Sequence, residues 1–475
     1  MEEYYIGVDL GTTGIKTVLY DHRGREIGSE SEEIPLITPA PGWAEQSPEC
    51  WYEIPCRLIK KLTGQISGGR VAALGISSQG ITVIPVGRDG RPHGNAISWL
   101  DSRAEEELSE ILAVTPEEEL NRMTGKHPSA LYSLPKLMWL KKHRHEIFSG
   151  AAMFLMPLDY LTFRLCGRAV TDATMAGGTM LYDLEEKCFS KTLCERYGIP
   201  AEKLPEVLPT TSFAGYMNRG SLELTGLSGS VGIAVGAQDQ KIAAFGAGMK
   251  EGTVTVSLGT AGAMEILCSN RSDVLPSFVF DDGESSRIVL EGCINTFGAS
   301  VRWLRDRMFP GITYKEMDAL AEEAEPGCGG VCFYPHLSGP GTPHHGRAPR
   351  SGWCGMTLAT GRREMIRSVY EGLACEIRLN LSAAERAGGR ADRLRLFGGG
   401  SRSGILCRII AGVTGLPVIT AGNGETASFG AAKAAYIMHT GDRSGFTGDS
   451  SSERLYLPEE NYDGIYERYI SGQIY

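Results

Sequence analysis

Tyr4-Tyr5-Ile6-Gly7-Val8-Asp9-Leu10-Gly11-Thr12-Thr13-Gly14-Ile15-Lys16-Thr17-Val18-Leu19-Tyr20-Asp21 is the stretch from which the rest of the chain is read. Its first half is an apolar run of strand character, Gly11 to Gly14 form a turn, and the run from Ile15 is a second strand. Asp21 to Gly24 make another turn and Glu26 to Ile34 alternate as a third strand, so the chain opens as an antiparallel meander. A Gly-Thr-Thr-Gly turn presents successive backbone N–H groups with hydroxyls beside them, which suits an anion. Glycine and threonine are also favoured in any hairpin turn, and both readings stand at this point. Asp9 precedes the turn, where a carboxylate is placed to hold Mg²⁺ directly or through its waters. The turn is not a P-loop, because it lacks GxxxxGK[ST] and leads into a strand instead of a helix.

About half the chain further on, Ser257-Leu258-Gly259-Thr260-Ala261-Gly262 repeats the pattern of strand, Gly-Thr turn and strand. One architectural unit used twice accounts for this, although short matches of this kind also arise by chance. Gly398-Gly399-Gly400-Ser401 follows the strand pattern of Leu394 to Phe397, where glycine lets backbone approach a ligand closely or simply ends the strand. Ser230 to Ala237 read as a strand, and Asp239 to Gly248 as a helix ending in glycine. Residues 102–148 turn helical, with two helices expected. Thr426 to Ala435 form a small-residue helix able to pack closely.

The chain has 475 residues, more than one core accommodates and comfortable for two domains. Hydrophobic residues are 42%, charged residues 22% and the net charge is -10. An acidic surface argues against nucleic acid as partner. Twelve cysteines stand without a CxxC pair, the N-terminal stretch has no signal-peptide pattern, and no apolar run reaches the roughly 18 residues a membrane helix needs. The expectation is a reduced cytoplasmic protein with no membrane partner.

These motifs resemble the FGGY carbohydrate kinases, in order along nearly the whole chain. The resemblance rests on the first hairpin, Trp43-Ala44-Glu45-Gln46-Ser47-Pro48, GISSQG, AISWLDSR, VGAQDQKIAAFGAG, VSLGTAG, FGASVRWLRD, LFGGGSRS and the long signature from Ser351 to Glu371. It implies an α/β fold of actin-like, ribonuclease H-like ATPase type, duplicated, with ATP in an interdomain cleft. The implied domains are 1–244, for sugar and the first phosphate hairpin, and 245–475, for nucleotide. It implies ATP and Mg²⁺ as cofactors, a small sugar or polyol as substrate, and the homodimer that is the family's common habit.

Residue by residue, the resemblance makes Asp239 the base that takes the proton from the attacking hydroxyl. Position alone favours an N-cap instead. Asp9 and Asp239 are the implied metal residues. Gly11, Thr12, Thr13, Gly259, Thr260, Gly298, Gly399, Gly400, Ser401 and Gly404 are the implied nucleotide residues, and Lys16 is either a phosphate contact or a solvated surface lysine. Gln79, Trp99, Asp101, Arg103, Asp239 and Gln240 fall where the family binds hydroxyls, with Trp99 as core and Asp101/Arg103 as a surface pair the plainer alternatives. Glycerol kinases carry Asn where this chain has Gly404. After Gln79, xylulose kinases show Met-His-Gly and glycerol kinases Arg-Glu; Gly80-Ile81-Thr82 is neither. WxEQ and AISWLDSR lean to the ketose kinases, while AQDQ and GASVRWLRD lean to glycerol kinase; the expected substrate is a ketose such as D-xylulose, with glycerol, ribulose, gluconate or another polyol as alternatives. A non-kinase ATPase of actin or Hsp70 type is the rival from another class. His344-His345 is expected to be a loop over the cleft, since adjacent histidines do not easily share one ion and no third ligand stands nearby in sequence.

Overall fold

The computed structural model describes residues 2–66, 68–344, 349–422 and 424–472. They form two compact units, one of Met1–Gly246, Phe278–Arg287 and Glu425–Asp449, the other of Ala247–Ser277, Ile288–Gly424 and Ser450–Tyr475. The expected domains are each continuous in sequence, and these units are not.

The first unit is built on the opening meander. Strands Glu3–Leu10, Gly14–Asp21 and Glu26–Glu33 pair antiparallel in chain order. On the other side of Glu3–Leu10 lies strand Arg70–Ser78 in parallel, then Gly232–Ala234 in parallel, then Phe213–Tyr216 antiparallel at the edge. Helix Thr426–Thr440 packs on this sheet because its small residues meet glycines. A Cβ on Gly7 would lie 1.8 Å from the Ser428 carbonyl oxygen, and one on Gly75 1.9 Å from that of Ala431. Those contacts place residues 425–449 in the first unit despite their late position in sequence.

The second unit repeats the order. Strands Ser286–Ile294, Gly262–Cys268 and Gly252–Leu258 run antiparallel, Ala391–Phe397 and Val418–Thr420 follow in parallel, and Leu455–Tyr456 closes the sheet antiparallel. The long helix Arg362–Arg386 buries Ile366, Val369, Leu373 and Ile377 against that sheet's core. The echo between the two Gly-Thr turns is therefore a repeat of the whole sheet order.

Residues 102–148 contain most of four helices, Glu105–Val114, Glu117–Thr124, Ser133–His143 and His145–Gly150, where two are expected. Pro116 separates the first two, Gly125 ends the second in the left-handed region, and the non-helical backbone of Arg144 splits the last two. Among the described residues, no helix is long and apolar enough to cross a membrane.

Candidate active site

Register brings the first unit's polar groups to one sheet end. Asp9 stands opposite Ser77 and Leu10 opposite Ser78 across one parallel pair. Ala237 stands opposite Ser77 and Gln238 opposite Ser78 across the next. Asp9, Gln79 and Asp239 thus emerge together at the carboxyl ends of parallel strands, where open α/β sheets bind ligands.

The Asp9 Oδ1 accepts a 2.7 Å hydrogen bond from the Ser77 hydroxyl. Burial raises its pKa, nearby Glu425 adds to the rise, and the Ser77 bond and Lys16 oppose it. A cation there would relieve the cost of the buried charge, and a carboxylate oxygen suits a hard ion such as Mg²⁺. Lys16 lies 2.6 Å from Glu425, both partly exposed. The turn itself is anchored from below, which leaves Thr13 exposed. Thr12 Oγ1 accepts from Trp99 Nε1 at 2.8 Å, and the Thr12 carbonyl accepts from Gln46 Nε2 at 2.8 Å.

Gln46 is the residue that the motif reading left without a role. Its Oε1 accepts from Gln79 Nε2 at 3.1 Å, so one amide chain runs from the phosphate-type turn to Gln79. The Gln79 Oε1 is buried with no hydrogen-bond partner, an acceptor suited to an incoming hydroxyl. Asp239 opens helix Asp239–Gly246, and its Oδ1 accepts from the Gln240 N–H at 2.7 Å and from Gln238 Nε2. Gln240 is half-buried beside it.

Asp101 and Arg103 lie deeper. Asp101 is 0% exposed. Its carboxylate accepts from the Arg103 guanidinium at 2.7 and 2.8 Å and from the Ala44 N–H at 2.6 Å. Arg103 also reaches Glu45 at 2.8 Å and stacks 3.7 Å over the Trp43 ring. The pair is thus buried, not a surface pair, and it braces the segment that carries Gln46 and Trp99. Ile81 stands in the left-handed region, at φ 54°, a strained place for a β-branched residue. Its carbonyl accepts from Lys136 at 3.4 Å. Burial pushes Lys136 down to about 7, against the pull of Asp101.

The second unit holds a pocket of about 730 Å³ lined by Gly259, Thr260, Gly298, Gly399 and Gly400. The Gly298 N–H donates to the Gly259 carbonyl at 2.9 Å, and a Cβ there would lie 2.5 Å from that oxygen, so only glycine lets the two segments close on each other. Arg302, Lys315 and Arg402 also line the pocket, a cationic setting for phosphates. Asp318 accepts from Tyr370 and Ser403 at 2.9 Å each, which steadies the start of helix Gly404–Thr414. Ser401 and Gly404 are not among the residues lining the pocket; Ser401 donates to the Gly398 carbonyl at 2.7 Å. Arg302 and Lys315 escaped the motif reading because a charged residue on a helix usually marks a solvated face. His344, expected in a loop over the cleft, is buried inside the second unit and bonds Glu376 at 3.0 Å, and His345 lies outside the described residues.

The sequence model described as the FGGY family of carbohydrate kinases, N-terminal domain, matches residues 4–246, and that of the C-terminal domain matches residues 254–439. The chain is 33% identical over 454 residues to a glycerol kinase of Gloeobacter violaceus, covering 94% of this chain and 89% of that one. It is 26% identical over 440 residues to a xylulose kinase of Bacillus subtilis, covering 90% and 87%. The crystal structure of a gluconate kinase from Lactobacillus acidophilus superposes with a TM-score of 0.90 at 25% identity, covering 99% of this chain and 97% of that one.

Proposed function

The chain belongs to the FGGY family of carbohydrate kinases and is an ATP-dependent enzyme of the EC 2.7.1 class, and we propose that it phosphorylates a hydroxyl of a small ketose such as D-xylulose with Asp239 as the base. The observation that carries this reading is the register that gathers Asp9, Gln79 and Asp239 at one sheet end. Gln79 Oε1, Gln240 and the edge of Trp99 meet the sugar hydroxyls, while Asp101 and Arg103 act from behind by holding Ala44 and Glu45 next to Gln46. Within the second unit, Gly259, Thr260, Gly298, Gly399 and Gly400 cradle phosphate, with Arg302, Lys315 and Arg402 supplying charge; within the first, the turn of Gly11, Thr12 and Thr13 offers its own phosphate contacts.

Asp239 takes the proton as the hydroxyl attacks the γ-phosphorus in line and ADP leaves. Phosphoryl transfer depends mostly on positioning and charge, so a modest base that receives its proton late suffices. Mg²⁺, which Asp9 and Asp239 would hold, neutralises phosphate oxygens when bound. A second reading, glycerol as substrate, draws on the 33% identity to a glycerol kinase. A coupled ADP-release screen over D-xylulose, D-ribulose, glycerol and gluconate tests both. The highest kcat/KM on a ketose supports the first reading, the highest on glycerol replaces it with the second, and no stimulated ADP release from any of the four overturns both.

A further inference from the structure

Among the described residues, His336, His344 and Glu376 offer ligand atoms that all lie within 4.8 Å of one another. All three belong to the second unit. His336 and His344 are each 6% exposed and Glu376 is 1% exposed. His336 follows strand Cys332–Tyr334, His344 sits eight positions later, and Glu376 is on the long helix. One loop and the long helix therefore bring three side chains to a point that the phosphate pocket does not include.

His344 Nε2 is 3.0 Å from Glu376 Oε2, and His336 Nε2 is 3.8 Å from Glu376 Oε1. Donors at zinc's bond lengths stand about 3.3–3.5 Å apart in a tetrahedral set. These two spacings to Glu376 bracket that range. His336 Nε2 is buried and makes no hydrogen bond, a costly state for a ring nitrogen unless something accepts its lone pair. Tyr469 donates to Glu376 Oε1 at 2.6 Å, the kind of outer contact that orients a ligating carboxylate.

We propose that His336, His344 and Glu376 form a buried site for a divalent transition-metal ion of the zinc class, which staples the segment 336–344 to the long helix. Two imidazoles and one carboxylate suit zinc and its neighbours better than Mg²⁺, which prefers oxygen. The role is structural, since Thr342 already anchors the same segment by a 2.6 Å bond to Asn380 on that helix.

The test uses the full chain, stripped with a chelator, reloaded with Zn²⁺ and desalted. Elemental analysis should find about one zinc per chain, and thermal unfolding should shift upward with Zn²⁺ and not with Mg²⁺. His336→Gln should lose at least ten-fold in zinc affinity, measured by competition with a chromophoric chelator. Wild-type protein that retains no zinc overturns the proposal, as does a folded His336→Gln variant that binds zinc like wild type. Should the variant not fold, Co²⁺-loaded wild type decides: intense visible bands of a four-coordinate ion support the site, and the weak bands of a six-coordinate ion overturn it.

Discussion

The two halves of this kinase share one sheet order and one Gly-Thr turn, yet they differ at the residue before the turn. Leu10-Gly11-Thr12 matches Leu258-Gly259-Thr260, but Asp9 in the first half has Ser257 as its counterpart. The first half spends its turn on a buried carboxylate and an amide chain through Gln46 and Gln79. The second surrounds the same turn with glycines and three cations. The repeat thus supplies a geometry, and side chains brought in by other elements decide what that geometry does.

Asp239→Asn strikes the base proposed for this enzyme, a residue of the first half. It should lower kcat by about 10²–10⁴-fold with little change in sugar KM; steady-state rates near wild type would remove Asp239 from the chemistry. Asp9→Ser makes the first turn resemble the second. It should cost on the order of 10²-fold in kcat, in the range seen when one charge-stabilising group is lost, and the loss should not be restored by raising the sugar concentration. Gly298→Val attacks the second half alone. The added carbons meet the Gly259 carbonyl, so ATP KM should rise about ten-fold and stability fall by about 1–3 kcal/mol in urea unfolding, with sugar KM unmoved.

The smallest effect concerns pH. Each half buries a carboxyl on a helix, but Glu371 in the second has Arg367 at 2.9 Å. Asp159 in the first has the Met156 N–H, and burial pushes it up to about 7. A carboxyl raised above its unfolded value of about 3.9 binds its proton more tightly in the folded state. Its contribution to stability is therefore lost as pH rises from about 4 toward 7, by at most about 1.4 kcal/mol per pH unit. Asp159→Asn should flatten that slope in urea unfolding followed between pH 4 and 7, and an unchanged slope would place the proton elsewhere.

Sequence alone determined the parts whose physics is local. A strand, a Gly-Thr turn and a second strand are set by neighbours in the chain, so both hairpins, their duplication and the family were legible, as was Asp239 at the start of its helix. Two sheet orders and the placement of helix Thr426–Thr440 required the tertiary structure, because glycines at positions 7 and 75 accept a helix from more than 300 residues away. The same holds for the site's supports. In sequence Gln46 is one polar residue of the segment 43–48, Asp101 and Arg103 read as hydroxyl-binding groups or a surface pair, and His344 as half of a dipeptide. Only folding shows that Gln46 bridges the turn to Gln79, that Arg103 is buried over Trp43 and that His344 faces His336 and Glu376. Burial and long-range approach decide which polar groups are spent on the scaffold and which are left for a ligand, and neither quantity is written in local spacing.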